Sequence, residues 1–84
     1  MTERLTIDFT PAEGAVVRMI GLVERRGYVV RGLAMNEQAN SASLTIDVEP
    51  REASRRAPVL AQQLVGLVDV QSVSLATRDA GSLA

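Results

Sequence analysis

The chain has 84 residues and a mass of 9.0 kDa, which is enough for one domain and too little for two. Histidine and cysteine are both absent, so the sequence excludes a Ser-His-Asp triad, a thiol nucleophile and a Cys/His metal site. The formal net charge of −1 lacks the basic excess that is typical of nucleic-acid-binding proteins. We therefore predict no catalytic residue, no metal site and no nucleic-acid partner.

The N-terminus gives no sign of a targeting segment. It begins Met-Thr-Glu-Arg, where a signal peptide would need an apolar run. No stretch of the sequence reaches the ~20 apolar residues that a membrane-spanning helix requires. We expect a cytoplasmic protein with no membrane partner.

The first half of the sequence predicts a strand followed by a helix. Residues 4–10 alternate between apolar and polar side chains, which is typical of a half-buried strand, and Pro11 ends it. Residues 13–26 then follow the helical period. The apolar positions are Val16, Met19, Ile20 and Val23. Gly27 stands where a left-handed residue commonly ends a helix. We expect Gly21 to permit close approach of this helix to the sheet or to another helix.

A second strand is predicted over residues 28–35. Its apolar residues Val30, Leu33 and Met35 do not keep a strict alternation. A bulge near Arg31 and Gly32 would bring all three to the same face, and glycine suits that position. Residues 36–42 are predicted to be a polar loop.

The second half repeats the pattern of the first. Residues 43–49 alternate as a strand, residues 55–65 have a helical period, and residues 68–76 form a last strand. Pro58 must lie in the first turn of the helix, because deeper in the helix it would cost about 3 kcal/mol. Residues 77–84 are small and polar and are predicted to be a disordered tail.

The predicted order is β-α-β-β-α-β within a single domain over residues 1–76. Short connections and one-sided strands favour an α+β, ferredoxin-like fold, with a four-stranded antiparallel sheet and both helices on one face.

Several functions of this fold are excluded by the residues they need. An RNA-recognition domain needs aromatic side chains on its inner strands, and residues 43–49 contain none. A metal chaperone of this fold needs two cysteines in its first loop. Acylphosphatase would need an arginine in a glycine-rich first loop, which residues 10–14 do not offer.

Two sequence blocks carry a family resemblance that covers residues 4–76. The first, residues 14–28, reads Gly-Ala-Val-Val-Arg-Met-Ile-Gly-Leu-Val-Glu-Arg-Arg-Gly-Tyr. The second begins with Gln63 and Leu64 and continues through Leu67-Val68-Asp69-Val70 to Val73. Together they resemble the ACT domain, and specifically the small regulatory subunit of acetolactate synthase (acetohydroxyacid synthase).

The resemblance implies a regulatory subunit rather than a catalyst. In that family the small subunit binds and activates the large catalytic subunit, which makes acetolactate from pyruvate for branched-chain amino-acid synthesis. The cofactors thiamine diphosphate, Mg and FAD are expected on that catalytic partner, and none on this chain. The free-standing ACT sensor, which binds an amino acid and controls another protein, is the alternative.

The resemblance also implies a homodimer with an effector site. ACT domains pair through their second strands. The residues of that edge strand here are Tyr28, Val29, Val30, Arg31, Gly32 and Leu33. A branched-chain amino acid would bind at the first loop and the start of the first helix. The residues there are Pro11, Glu13, Gly14 and Ala15.

One departure from the family bears on feedback by valine. The valine-sensitive members resemble Asn-x-x-Gly at the first loop, whereas this sequence has Pro11 at the asparagine position. Proline offers neither a side-chain amide nor a backbone N–H. Pro11 and the single ACT domain together resemble the short, valine-insensitive type of regulatory subunit.

A third hypothesis is a hydrolase that uses carboxylates. Its candidate residues are Asp8 and the pair Asp47 and Glu49, all on predicted strands. Outward acids that alternate along a strand are more often a solvated face than a catalytic pair.

Overall fold

The structure is a computed structural model that describes residues 2–52 and 56–78. The described residues form four strands and two helices in the predicted order. The elements are β1 (Thr2–Phe9), α1 (Ala15–Arg25), β2 (Tyr28–Glu37), β3 (Ala42–Pro50), α2 (Ala57–Val65) and β4 (Val70–Arg78). No helix in these ranges is long and apolar enough to cross a membrane.

The four strands form one antiparallel sheet in the order β2-β3-β1-β4. This arrangement confirms the predicted ferredoxin-like fold. β1 and β3 lie in the centre, and β2 and β4 are the two edges. Each half of the chain forms a central strand first, β1 or β3, and then an edge strand, β2 or β4. The two edge strands therefore lie at opposite sides of the sheet.

The hydrophobic core lies between one face of the sheet and the two helices. Alternate residues of the central strands fill it and are at most 1% exposed. They are Leu5, Ile7, Phe9, Leu44, Ile46 and Val48. Met19 and Val23 of α1 and Leu60 and Leu64 of α2 pack against them in the same cluster. Both helices therefore cover the same face, and the other face of the sheet stays uncovered within the described chain.

The predicted bulge in β2 is present. Val30 lies opposite Val48 and Gly32 lies opposite Asp47, so Arg31 is the extra residue. The bulge places Leu33 opposite Ile46 and Met35 opposite Leu44, and thus on the helix-covered face. The side chains of Leu33 and Met35 are nevertheless 50% and 46% exposed, because β2 is an edge strand that the helices only partly cover.

The bounds of α1 follow from its two flanking glycines. Gly14 has a left-handed φ of 79° and is the N-cap, so the helix begins at Ala15 and Glu13 precedes it. The predicted start at residue 13 is therefore two residues too early. Gly27 has a φ of 91°, and its N–H donates to the Glu24 carbonyl oxygen at 3.1 Å. This geometry confirms Gly27 as the residue that ends the helix.

The role expected for Gly21 is wrong. Among the described residues, a Cβ atom at this position would meet only the Arg25 guanidinium, with Nη1 at 3.4 Å. The sheet-facing side of α1 is formed instead by Met19, Leu22 and Val23. Gly21 therefore lies on a flank of the helix that the backbone of residues 2–52 and 56–78 does not approach.

The remaining bounds shift by a few residues. β2 continues to Glu37 and β3 begins at Ala42, which leaves only residues 38–41 as a loop. Helix α2 begins at Ala57 rather than at residue 55, with Pro58 in its first turn as predicted. β4 begins two residues later than predicted and runs to Arg78, beyond the predicted domain end. The rest of the predicted tail, residues 79–84, lies outside the described residues.

Candidate functional site

The loop between β1 and α1, residues 10–14, is joined to the turn between α2 and β4. The Thr10 N–H donates to the Asp69 carbonyl oxygen at 2.9 Å. Pro11 is partly buried, whereas Glu13 and Gly14 are exposed. Ala15 is only 2% exposed, so its side chain belongs to the core and only its backbone can serve a site.

The first turn of α1 leaves two N–H groups available. The Ala15 N–H donates to the Ala12 carbonyl oxygen at 3.0 Å. Val16 and Val17 follow it, and within the described residues their N–H groups have neither a backbone acceptor nor a capping side chain. The positive end of a helix with free N–H groups favours a carboxylate oxygen.

Arg18 lies over this loop. Its Nη1 donates to the Glu13 carbonyl oxygen at 3.3 Å, and its Nη2 forms an ion pair with Oδ2 of Asp69. A Cβ atom built on Gly14 would lie 3.0 Å from the same Nη1. The left-handed φ favours glycine at position 14, and a Cβ atom there would also require the flexible Arg18 side chain to shift.

The ion pair of Arg18 and Asp69 is the feature of the site that the sequence analysis missed. The two residues are 51 positions apart, one in each block of the family resemblance. The sequence patterns placed Arg18 in the predicted helix over residues 13–26 and Asp69 near the start of the predicted strand over residues 68–76, with nothing to connect them. Their membership of two blocks with a shared resemblance was the only signal that could have paired them.

The β2 residues named as a dimer edge do lie on an edge of the sheet. The Tyr28 side chain is only 2% exposed, so it packs within the chain and only its backbone can pair with another strand. Val29 and Val30 are partly buried. The Arg31 side chain contacts Glu49 of β3, and Arg31 Nε donates a hydrogen bond to Glu49 Oε1 at 2.8 Å. Leu33 leaves half of its side chain exposed on the helix side.

Three acids lie on the uncovered face of the sheet, Asp8, Asp47 and Glu49, and each has a hydrogen-bond partner. Both Asp8 carboxylate oxygens accept hydroxyl groups, one from Ser43 at 2.8 Å and one from Ser72 at 3.0 Å. Asp47 accepts two bonds from Arg4, at 2.7 and 3.0 Å. These hydrogen bonds hold the carboxylates on the surface of the sheet. The three acids do not form the acid–base pair that the hydrolase hypothesis requires.

The ion pair with Arg31 also lowers the pKa of Glu49. A hydrogen bond from Arg31, and then its positive charge, hold the pKa of Glu49 below its ordinary value of 4.5.

Within residues 2–52 and 56–78, no three His, Cys, Asp or Glu side chains come together as a metal site.

Comparison with known proteins identifies the family. The family model described as the ACT domain matches residues 11–73, which is most of the chain. This chain belongs to the ACT-domain family. ACT domains are regulatory, non-catalytic domains that respond to small molecules, and they occur in enzymes of amino-acid metabolism. A search of curated proteins found no significant match.

Solved structures share the fold of this ACT domain at low sequence identity. The ACT domain from the GTP pyrophosphokinase of Chlorobium tepidum has a TM-score of 0.75 and 12% identity, over 90% of this chain and 97% of that one. An ACT domain protein from Streptococcus pneumoniae has a TM-score of 0.73 and 13% identity, over 90% and 88% of the two chains. A homoserine dehydrogenase from Thiobacillus denitrificans has a TM-score of 0.71 and 8% identity, over 88% of this chain and 16% of the enzyme.

Proposed function

We propose that this ACT domain is the regulatory subunit of an acetolactate synthase, which binds the catalytic subunit and activates it. The observation that carries the proposal is the meeting of the two sequence blocks that resemble that subunit. Arg18 of the first block and Asp69 of the second form an ion pair beside the β1–α1 loop. This contact between the two blocks supports the proposal, because it brings together residues that are far apart in the sequence.

The proposal includes a homodimer that forms through the β2 edge. Leu33 and Met35 expose about half of their side chains on the helix side of this edge. Val16 and Ile20 are partly buried on the flank of α1 opposite Arg18, and thus on the side toward β2. A second copy would cover this apolar surface and satisfy the unpaired edge of the ladder.

Reconstitution tests the proposed function directly. The chain is mixed in increasing amounts with the acetolactate synthase catalytic subunit of the same organism, loaded with thiamine diphosphate, Mg²⁺ and FAD. We expect acetolactate formation to rise to a plateau, and the chain alone to form none. The Streptococcus pneumoniae ACT domain protein is a control of similar fold and is expected to give no increase. If the chain binds an amino acid but not the catalytic subunit, the free-standing sensor is the correct function.

Valine is expected to inhibit the reconstituted enzyme only weakly. A buried amino acid needs partners for both charged groups. At position 11 a proline replaces the side-chain amide, and losing a hydrogen bond to a charged group costs roughly 1.5–3 kcal/mol. This loss corresponds to about a tenfold to hundredfold weaker affinity at 1.4 kcal/mol per decade.

Calorimetric titration of valine into the chain measures this affinity. We expect no binding in the micromolar range, and a tighter Kd for Pro11→Asn than for the wild type. Pro11→Ala is the matched control, because it removes the proline without adding an amide. A micromolar Kd for the wild-type chain would contradict the role given to Pro11.

A further inference from the structure

We infer that the second edge of the sheet, formed by β4 and the adjoining flank of α2, is the surface that binds the catalytic subunit. This inference rests on the proposed function and names the surface through which it acts. The occupant we propose is an extended, uncharged segment of the catalytic subunit, which adds a strand to β4.

The first observation is the chemistry of the β4 edge. In the described chain β4 pairs only with β1, so its outer edge presents unpaired N–H and C=O groups. Residues 70–76 read Val-Gln-Ser-Val-Ser-Leu-Ala, with neither a charged residue nor a proline. Edge strands are normally protected from pairing by charges, prolines or bulges. β4 has one bulge at its start, at Gln71, and pairs regularly with β1 from Ser72 onward.

The second observation is an apolar groove beside that edge. It has a volume of about 380 Å³ and lies between α2 and β4. Its lining residues are Ala61, Gln62, Val65, Gly66 and Val73. Val65 is 51% exposed, and Val68 in the following turn is 92% exposed. Because none of the described residues that line the groove is charged, a segment with uncharged side chains can be buried against them without a desolvation cost for an ion.

The third argument concerns symmetry; it depends on the proposed β2 homodimer and favours a different protein over a second copy. The sheet has two open edges, and the proposed homodimer uses β2. If β4 also paired with a copy of this chain, every copy would contact two others and the sheet would grow without limit. If the homodimer forms through β2, a closed assembly does not use β4 for a second copy, and we assign β4 to a chain of another kind. Under the proposed function, that chain is the catalytic subunit.

Charge substitutions at Val65 test the surface in the reconstituted enzyme. We expect Val65→Arg and Val65→Glu each to raise the concentration needed for half-maximal activation at least tenfold, since either sign of charge would be buried at the contact. Val59→Arg and Val59→Glu are matched controls on the same helix. Val59 is 54% exposed but lies about a third of a turn away from Val65 around the helix axis. We expect these controls to activate like the wild type, and circular dichroism to show all four variants folded.

Hydrogen exchange tests strand addition itself. When the catalytic subunit binds, we expect slower exchange of amides in residues 72–76. Full activation by the Val65 variants, or unchanged exchange in β4, would overturn the inference while the proposed function stands. Loss of the homodimer in the Val65 variants, measured by sedimentation, would also overturn it, because the occupant of β4 would then be a second copy. If the wild-type chain neither binds nor activates the catalytic subunit, the proposed function itself fails.

Discussion

At the scale of single residues, Gly14 is a position where the backbone conformation constrains substitution. A side chain there would adopt a φ near 79° and would meet the Arg18 guanidinium at 3.0 Å. A non-glycine residue in the left-handed region costs roughly 1–2 kcal/mol. We therefore expect Gly14→Ala to lower the free energy of unfolding by about this amount, measured by urea denaturation.

Gly21→Ala is the matched control for Gly14→Ala. Position 21 is helical, and in the described part of the chain an added methyl group would contact only the flexible Arg25 side chain, with Nη1 at 3.4 Å. Alanine is the better helix former by up to about 1 kcal/mol. We expect this variant to be as stable as the wild type or slightly more stable. Equal losses in the two variants would contradict the distinction between the two glycines.

Glu49 gives a pH-dependent prediction at the same scale. Its pKa is lowered in the folded chain by the hydrogen bond from Arg31 and by the positive charge of that residue. A lowered folded-state pKa means that the carboxylate stabilises the fold above its unfolded-state pKa, and that this contribution is lost as the pH falls through the folded-state value. Because Glu49 is on the surface, the contribution is small and is screened by salt.

Carboxyl NMR titration checks the shift at Glu49. We expect Glu49 to titrate below 4.5, its ordinary value. Arg31→Gln removes the charge and should move the pKa of Glu49 back toward that value. An unchanged pKa in the Arg31 variant would show that another group causes the shift.

At the scale of elements, the pair of Arg18 and Asp69 connects α1 with the turn between α2 and β4. The backbone bond from Thr10 to Asp69 reinforces the same contact at 2.9 Å. The Arg18 and Asp69 side chains are 48% and 20% exposed, and exposed ion pairs contribute at most about 1 kcal/mol. The expected effect of breaking the pair is therefore a looser loop rather than an unfolded chain.

Asp69→Asn tests this connection. We expect faster amide exchange in residues 10–14 and a loss of unfolding free energy of at most about 1 kcal/mol. Arg18→Gln should give the same result, and the double variant should lose no more than either single variant. Additive losses would show that the two side chains act separately.

At the scale of the whole molecule, a chain of 84 residues has a small core and benefits from association. We predict that sedimentation at micromolar concentration gives about twice 9.0 kDa, and that the Tm rises with protein concentration. Leu33→Arg should give a monomer, because it places a charge in the apolar surface of the β2 edge. Ala34→Arg is the control, since Ala34 is exposed on the other face of the same strand. A monomeric wild type at high concentration would rule out the β2 dimer.

The sequence by itself determined the order of the elements, the inward faces of the strands, the bulge at Arg31 and the glycine that ends α1. Each of these depends on residues close together in the chain, where periodicity and backbone preference operate. The tertiary structure alone decided the pairing of Arg18 with Asp69, the exposure of Leu33 and Met35, and the groove beside β4. These features depend on how the two halves of the chain pack together. A single charged residue, or an apolar residue on an edge strand, carries no periodic signal of what lies across from it.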